Sequence, residues 1–258
     1  MNPTVYGPVL AGALFAGMLL LLEAGHRIAQ RRLARDPEGA QQGIGAVNGA
    51  VFGLLGLLVA FTFSGAATRF DARRHLIVQE ANDIGTAWLR VDLLPDGEQS
   101  AMRDLFRRYL DSRIETYRKL PDIEAAEAEF AASTKVQAQI WQLAVAACEA
   151  KRDPSTTSLV LSSLNTMFDI ASTRVAGARI HPPPVIFVML FGLALGCALL
   201  AGYGMAGAKR RSWSHIIGFA GVLALSVYVI LEIEYPRLGV IRLDATDQLL
   251  VNLRKSMD

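Results

Sequence analysis

The stretch IGAVNGAVFGLLGLLVAFTFSGAATRFDARR, residues 44–74, decides how the chain is read. It belongs to an uncharged run that begins at Gly39 and holds no Asp, Glu, Lys or Arg for 30 residues, up to Thr68. A helix crosses a bilayer core with about 20 mostly apolar residues. The run therefore predicts a membrane span. Its charged end, Arg69-Phe70-Asp71-Ala72-Arg73-Arg74, continues in helical register, and the next proline is Pro95. One helix over 44–93 would be about 75 Å long at 1.5 Å per residue, more than twice the hydrocarbon thickness. The spacing predicts a span that continues beyond the membrane as a stalk.

Three more uncharged runs cover residues 1–22, 180–208 and 212–231. The chain has 258 residues, of which 52% are hydrophobic and 19% charged, with a mean hydropathy of +0.30. Four such runs exclude a soluble enzyme, a secreted disulfide scaffold and a disordered protein. A net charge of +2 leaves no basic surface broad enough for nucleic acid. Cys148 and Cys197 fall at different expected depths, which argues against a disulfide, and they have no metal or redox spacing. The first run lacks the leading positive charge of a signal peptide and is followed by Arg27, Arg31, Arg32 and Arg35. It predicts a retained first span.

Residues 67–181 are the sizeable polar region, with 15 Lys plus Arg and 16 Asp plus Glu. Met102, Leu105, Phe106, Tyr109, Leu110, Ile114 and Tyr117 recur at helical spacing. Phe130 to Ala144 and Leu159 to Val175 give two more amphipathic helices. Pro121 and Pro154 separate them. His181-Pro182-Pro183-Pro184 then introduces a third span near 184–206, and a fourth covers about 213–233 after Lys209-Arg210-Arg211. The predicted fold class is all-α: an integral membrane protein with four transmembrane helices and a helical extramembrane domain. The parts are spans one and two (1–66), stalk and helical domain (67–181), spans three and four (182–233) and a C-terminal tail (234–258). The two short loops carry seven Lys or Arg against two near the terminal tails, which places the domain outside the cytoplasm. Counting Arg69, Arg73, Arg74, Arg174 and Arg179 makes the two sides equal, so its side stays open.

On a helical wheel at 100° per residue the second span separates into stripes. Gly45, Gly49, Gly53, Gly56, Ala60 and Ala67 form a small-residue face suited to close helix packing. Beside it run Asn48, Phe52, Val59 and Phe63, with Thr62 at the edge. Around a symmetry axis, Phe52, Val59 and Phe63 would constrict a pore that gates by dewetting, with Asn48 and Thr62 as polar lining. The alternative is that the stripe packs against the other spans of the same chain.

Three segments carry a family likeness: Leu58-Val59-Ala60-Phe61-Thr62-Phe63-Ser64, then Arg69 to Arg74, then Glu80-Ala81-Asn82-Asp83-Ile84-Gly85-Thr86-Ala87-Trp88-Leu89-Arg90. Together with Tyr109 to Arg113, the prolines before the third span and the Glu234 to Gly239 ending, they resemble a bacterial membrane family described as bestrophin-like. The likeness extends from about Ile44 to Leu249. The family's usual Asp-Arg-Pro ending appears here as Glu234-Tyr235-Pro236. True bestrophins are pentameric anion channels whose second transmembrane helices line an apolar neck, with a cytosolic helical domain between spans two and three. The resemblance in layout implies a homo-oligomer, a pentamer by analogy, in the bacterial inner membrane, conducting inorganic anions.

Glu80, Asp83 and Arg90 share one side of the stalk with Ile77, Ile84, Trp88 and Val91. If that side is covered, Glu80 needs a cationic partner, for which Arg107, Arg108 and Arg113 are candidates. Otherwise Glu80 is an ion-facing carboxylate at a pore mouth. Arg69, Arg73 and Arg74 suit either anion-attracting rings or lipid headgroups. Glu23, Glu232 and Glu234 sit at span ends, where carboxylates reach the interface. His26, His75, His181 and His215 have no metal-ligand spacing, and no catalytic group or cofactor motif is present. Two functions are expected: an oligomeric anion channel, or a non-conducting scaffold or signalling module whose helical domain binds a partner protein.

Overall fold

The computed structural model describes residues 6–35, 44–207, 212–237 and 239–258. Lys209-Arg210-Arg211 and most of the loop before the second span lie outside the described residues. The described chain is helical throughout, without a strand. In order it runs α1 (Tyr6–Leu33), α2 (Ile44–Leu89), α3 (Asp96–Arg118), α4 (Ile123–Lys151), α5 (Pro154–Arg179), α6 (Pro184–Gly204), α7 (Trp213–Glu234) and α8 (Asp244–Lys255). α1, α2, α6 and α7 carry the four segments long and apolar enough to cross a membrane.

The boundaries have local causes. α2 runs unbroken for 46 residues, about 69 Å at the α-helical rise. It tightens into a 3-10 turn at Arg90–Leu93 and stops where Leu94 becomes extended before Pro95. The Asp122 carboxylate accepts from the Ala125 amide to start α4. Asp153 does the same for Ser155 and Thr156 at α5, with Pro154 in the first turn. Pro184 opens α6 in the same way.

Two compact units result. One comprises Met1–Arg69 and His181–Ile241, the other Phe70–Ile180 and Arg242–Asp258. The stretch read from sequence as a tail, 234–258, thus divides between them, and most of its second part is the helix α8.

In the second unit, one side of α2 buries Ile84 and Ala87, and the 3-10 turn after it Val91, against Phe106 and Tyr109 of α3, Ile140 and Ala144 of α4, and Leu164 and Met167 of α5. Leu250 of α8 and Met257 after it complete this core. Trp88 meets Phe106 edge-on at 6.0 Å. Each fully buried large side chain contributes roughly 1.5–3 kcal/mol.

In the first unit, α1 lies along α6 and α7. Leu14, Met18 and Leu22 face Leu190, Ala194 and Cys197 of α6 and Ala220, Val227 and Ile230 of α7. The α1–α6 crossing is set by glycine. A Cβ at Gly25 would run into the Leu199 carbonyl, and one at Gly202 into the Leu22 carbonyl. Hydrocarbon chains give apolar helices no hydrophobic drive to associate, so such close approach supplies the packing that holds them.

We predict that Gly25→Ala lowers the melting temperature of the purified protein by the equivalent of about 1–3 kcal/mol, the cost of overpacking. Gly218→Ala on α7, whose Cβ meets nothing within 4 Å, leaves it unchanged. Thermal unfolding in detergent checks this, and equal melting of both variants would refute the glycine contact.

Candidate functional site

Within the first unit α2 has a packed side and an open side. Leu55, Thr62 and Ala66 are buried, and the Thr62 hydroxyl donates to the Leu58 carbonyl at 2.7 Å. Val51 accepts a weak hydrogen bond from the Cys197 thiol at 3.8 Å. Phe52 is half-buried and meets Phe219 of α7 edge-on, with ring centroids 6.0 Å apart. Val59 is half-buried in the same cluster, while Phe63 is 44% exposed. The aromatic stripe therefore sits along the border between the packed and open sides. Asn48 lies near Gly204, and its buried Oδ1 has no hydrogen-bond partner among the described residues.

Gly45, Gly49 and Gly53 face away from the rest of the chain, with nothing within 4 Å of an added Cβ. The small-residue face that stands out in the sequence meets no other part of the chain among the described residues. The glycines that are used, Gly25 and Gly202, sit in less conspicuous series, Gly25 with Ala29 on α1 and Gly202 with Ala194 and Ala198 on α6. Only the pairing of two distant helices reveals them.

The charged end of α2 is committed to ion pairs and to backbone carbonyls. Arg69 grips Glu234 with two nitrogens, Nη2 to Oε2 at 2.7 Å and Nε to Oε2 at 2.9 Å. The Glu234 carboxylate is fully buried. His181 Nδ1 lies 3.0 Å from its Oε1, and the His181 ring stacks on Tyr235 at 4.5 Å. In the second unit, Arg73 is buried and donates to the carbonyls of Gly177 and Ile180. It thereby caps the C-terminal end of α5, where a cation also suits the helix dipole. Arg74 remains exposed beside Asp71.

Glu80 is the centre of the second unit. Its Oε1 accepts from Arg113 Nε at 2.6 Å and its Oε2 from Arg174 Nη1 at 2.5 Å, all three side chains being almost fully buried. Arg174 also reaches Asp247 of α8 at 2.5 Å. The Arg174 guanidinium lies 3.6 Å from the Tyr117 ring centroid, and that of Arg113 lies between Tyr117 and Phe130. Burial opposes ionisation of Glu80, but Arg113 and Arg174 outweigh it and hold its carboxyl below the ordinary value of 4.5. Asp83 shifts the other way, raised by burial and then by Glu80.

Of the three donors expected for Glu80, Arg113 pairs with it. Arg107 instead donates to the Met257 carbonyl and pairs with Asp104. Arg90, expected beside Glu80, donates to the Leu159 carbonyl. Arg174 and Asp247 were not anticipated. A signal for Arg174 exists all the same: Val160, Leu164, Met167, Ala171 and Arg174 follow one buried stripe of α5 at four- and three-residue steps. Arg113 continues Met102, Phe106 and Tyr109 likewise. A charge in apolar register marks a buried partner. The cluster brings Glu80 together with neither Arg69 nor Arg73.

The family model described as bestrophin-like domain matches residues 1–247. The fold is also that of a bacterial bestrophin homolog from Klebsiella pneumoniae. A crystal structure of it phased with zinc gives a TM-score of 0.69 at 15% identity, covering 93% of this chain and 97% of that one. Two single-mutant forms give 0.66 at 14% identity over 93% and 97%, and 0.67 at 14% over 94% and 98%. No curated protein matches the chain.

The lowered pKa of Glu80 sets a pH dependence for the second unit. A carboxyl held below its unfolded value contributes stability that is complete above that value and is lost as pH falls through the folded one. We expect acid unfolding of this unit below about pH 4.5, followed by fluorescence of Trp88 and Trp141. Glu80→Gln should cost about 3–5 kcal/mol at neutral pH, because it leaves the buried Arg113 guanidinium without a carboxylate and Arg174 with Asp247 alone, and should flatten the acid limb. A wild-type acid limb retained in Glu80→Gln would assign that limb to other groups.

Proposed function

The chain belongs to the bestrophin-like family, and from that premise we propose that it assembles into an oligomeric, anion-conducting channel lined by α2. The observation that carries the reading is the division of α2 into one side packed on α6 and α7 and one side left open by its own subunit. The open side holds Gly45, Gly49 and Gly53, small residues that suit close approach by a helix of a neighbouring copy. Phe63 is exposed at its border, next to Val59 and Phe52.

In a ring of copies, five by analogy with the bestrophins, Phe63 with Val59 and Phe52 forms the apolar constriction, and water leaves a neck of that kind readily. Asn48 lies about one helical turn before Phe52 and offers an uncommitted carbonyl oxygen. Thr62, expected beside it, lies on the side packed within the subunit and donates to the Leu58 carbonyl, so Asn48 is the polar group proposed for the lining. Arg69 is neutralised by Glu234, so its role at the pore mouth is to hold the end of α2 in place, and not to collect anions as a free charge. Inorganic anions are the proposed permeant species and the bacterial inner membrane the proposed location.

Reconstitution into liposomes tests the reading. The purified chain should form a closed ring with the second helices around its axis, and should pass chloride. Phe63→Ala should raise the conductance several-fold or remove its gating, since it widens the neck and shortens the dewetted segment. A monomer or dimer without a central axis, or electrically silent vesicles, would sink it.

A further inference from the structure

The first unit contains a cavity of about 580 Å³ to which α2 contributes no wall. Its sides come from the starts of α1 and α6 and the end of α7 with the turn after it. Tyr6, Leu10, Phe187, Phe191 and Tyr235 make it almost wholly apolar. One carboxylate lines it, that of Glu232.

Glu232 is 5% exposed. Its Oε2 accepts from the backbone amides of Val240 at 2.5 Å and Ile241 at 3.2 Å, and the Tyr228 ring lies with it beside Gly7. Gly239 is required beside it, because a Cβ there would strike both carboxylate oxygens. Oε1 lies on the side of Gly7, another residue of the cavity wall, 3.2 Å from where its Cβ would be. No Lys, Arg or His among the described residues forms an ion pair with Glu232. The contrast with Glu234, two positions on, is direct. That carboxylate is equally buried and has both Arg69 and His181. A desolvated carboxylate without a cation is costly, and the hydrogen bonds of an amide pair offset that cost only in part.

We propose that this cavity is a binding site for an aminophospholipid, whose primary ammonium pairs with Glu232 and whose acyl chain lies along Leu10, Phe187 and Phe191. The missing cation calls for an amine, and Tyr6 and Tyr235 add aromatic faces that favour one. The walls call for an acyl chain. The level of the cavity fits both. It lies at the ends of three spans, where headgroups meet hydrocarbon, with Leu10 and Phe191 about one turn deeper than Tyr6 and Phe187. The site is independent of conduction, so lipid retention and ion flux succeed or fail separately.

Native mass spectrometry of the full chain, released from bilayers of phosphatidylethanolamine and phosphatidylglycerol in equal parts, reads the outcome. The wild type should retain phosphatidylethanolamine selectively. Glu232→Gln should lower that retention about tenfold, the loss expected for one charge-assisted contact. Its amide oxygen still accepts from Val240 and Ile241, so the turn is kept, and circular dichroism should show unchanged helicity. Leu10→Trp, which fills the cavity, should abolish retention of either lipid. Equal retention of both lipids by the wild type, or undiminished phosphatidylethanolamine on Glu232→Gln, would overturn the site. Displacement of the bound lipid by free ethanolamine would assign the cavity to a soluble amine and overturn the lipid.

Discussion

An ionised side chain taken out of water has to meet an opposite charge, and that requirement places most of the decisive polar residues of this chain. Glu80 lies at the centre of a helical core and is held by Arg113 and Arg174. Glu234 lies at the end of the last span and is held by Arg69. Each pair joins residues far apart in sequence, so each fixes the register of helices that propensity alone would leave free to slide. Replacing such pairs with well-packed apolar groups is often neutral or stabilising. Their value here is in orientation. The charge positions allow one rotation of α3 and α5 about their axes against α2.

The helical class, the four spans and the three domain helices were legible because each rests on local pattern. A span shows in uncharged length, an amphipathic helix in three- and four-residue spacing, and a boundary in Pro95, Pro121 or Pro154. The apolar stripe of α2 was legible too, and so was the need of Glu80 for a cation. What could not be read depends on partners distant in the chain. The glycine repeat at Gly45, Gly49 and Gly53 is conspicuous and meets no other part of the chain among the described residues, whereas Gly25 and Gly202 sit at the backbone crossing. Arg174 was overlooked, although its register on α5 places it on the buried face. The tail reading of 234–258 misses α8, although its 12 residues are strongly amphipathic and Leu243, Leu250 and Met257 are buried at seven-residue steps.

α2 is asymmetric along its length as well as around it. Up to Arg69 it is anchored by one side and open on the other. From Phe70 on, its buried side carries Ile77, Glu80, Ile84 and Ala87, and the 3-10 turn after it Val91, in a continuous three-four rhythm. No proline interrupts the helix between the two regimes, and Arg73 spends its hydrogen bonds on the end of α5. The same helix thus presents an uncovered apolar face in one unit and carries the central packing surface of the other.

The second unit is assembled from two separate stretches of chain, 70–180 and 242–258, with α6 and α7 encoded between them. During synthesis its first three core helices are complete well before Asp247, Leu250 and Met257 have been made. Arg174 therefore lacks one of its two carboxylates, and the core one of its edges, until both later spans have left the ribosome. The unit cannot reach its final stability ahead of the membrane segments it is interleaved with. The order of the chain makes completion of this domain a report that the last two spans have been synthesised.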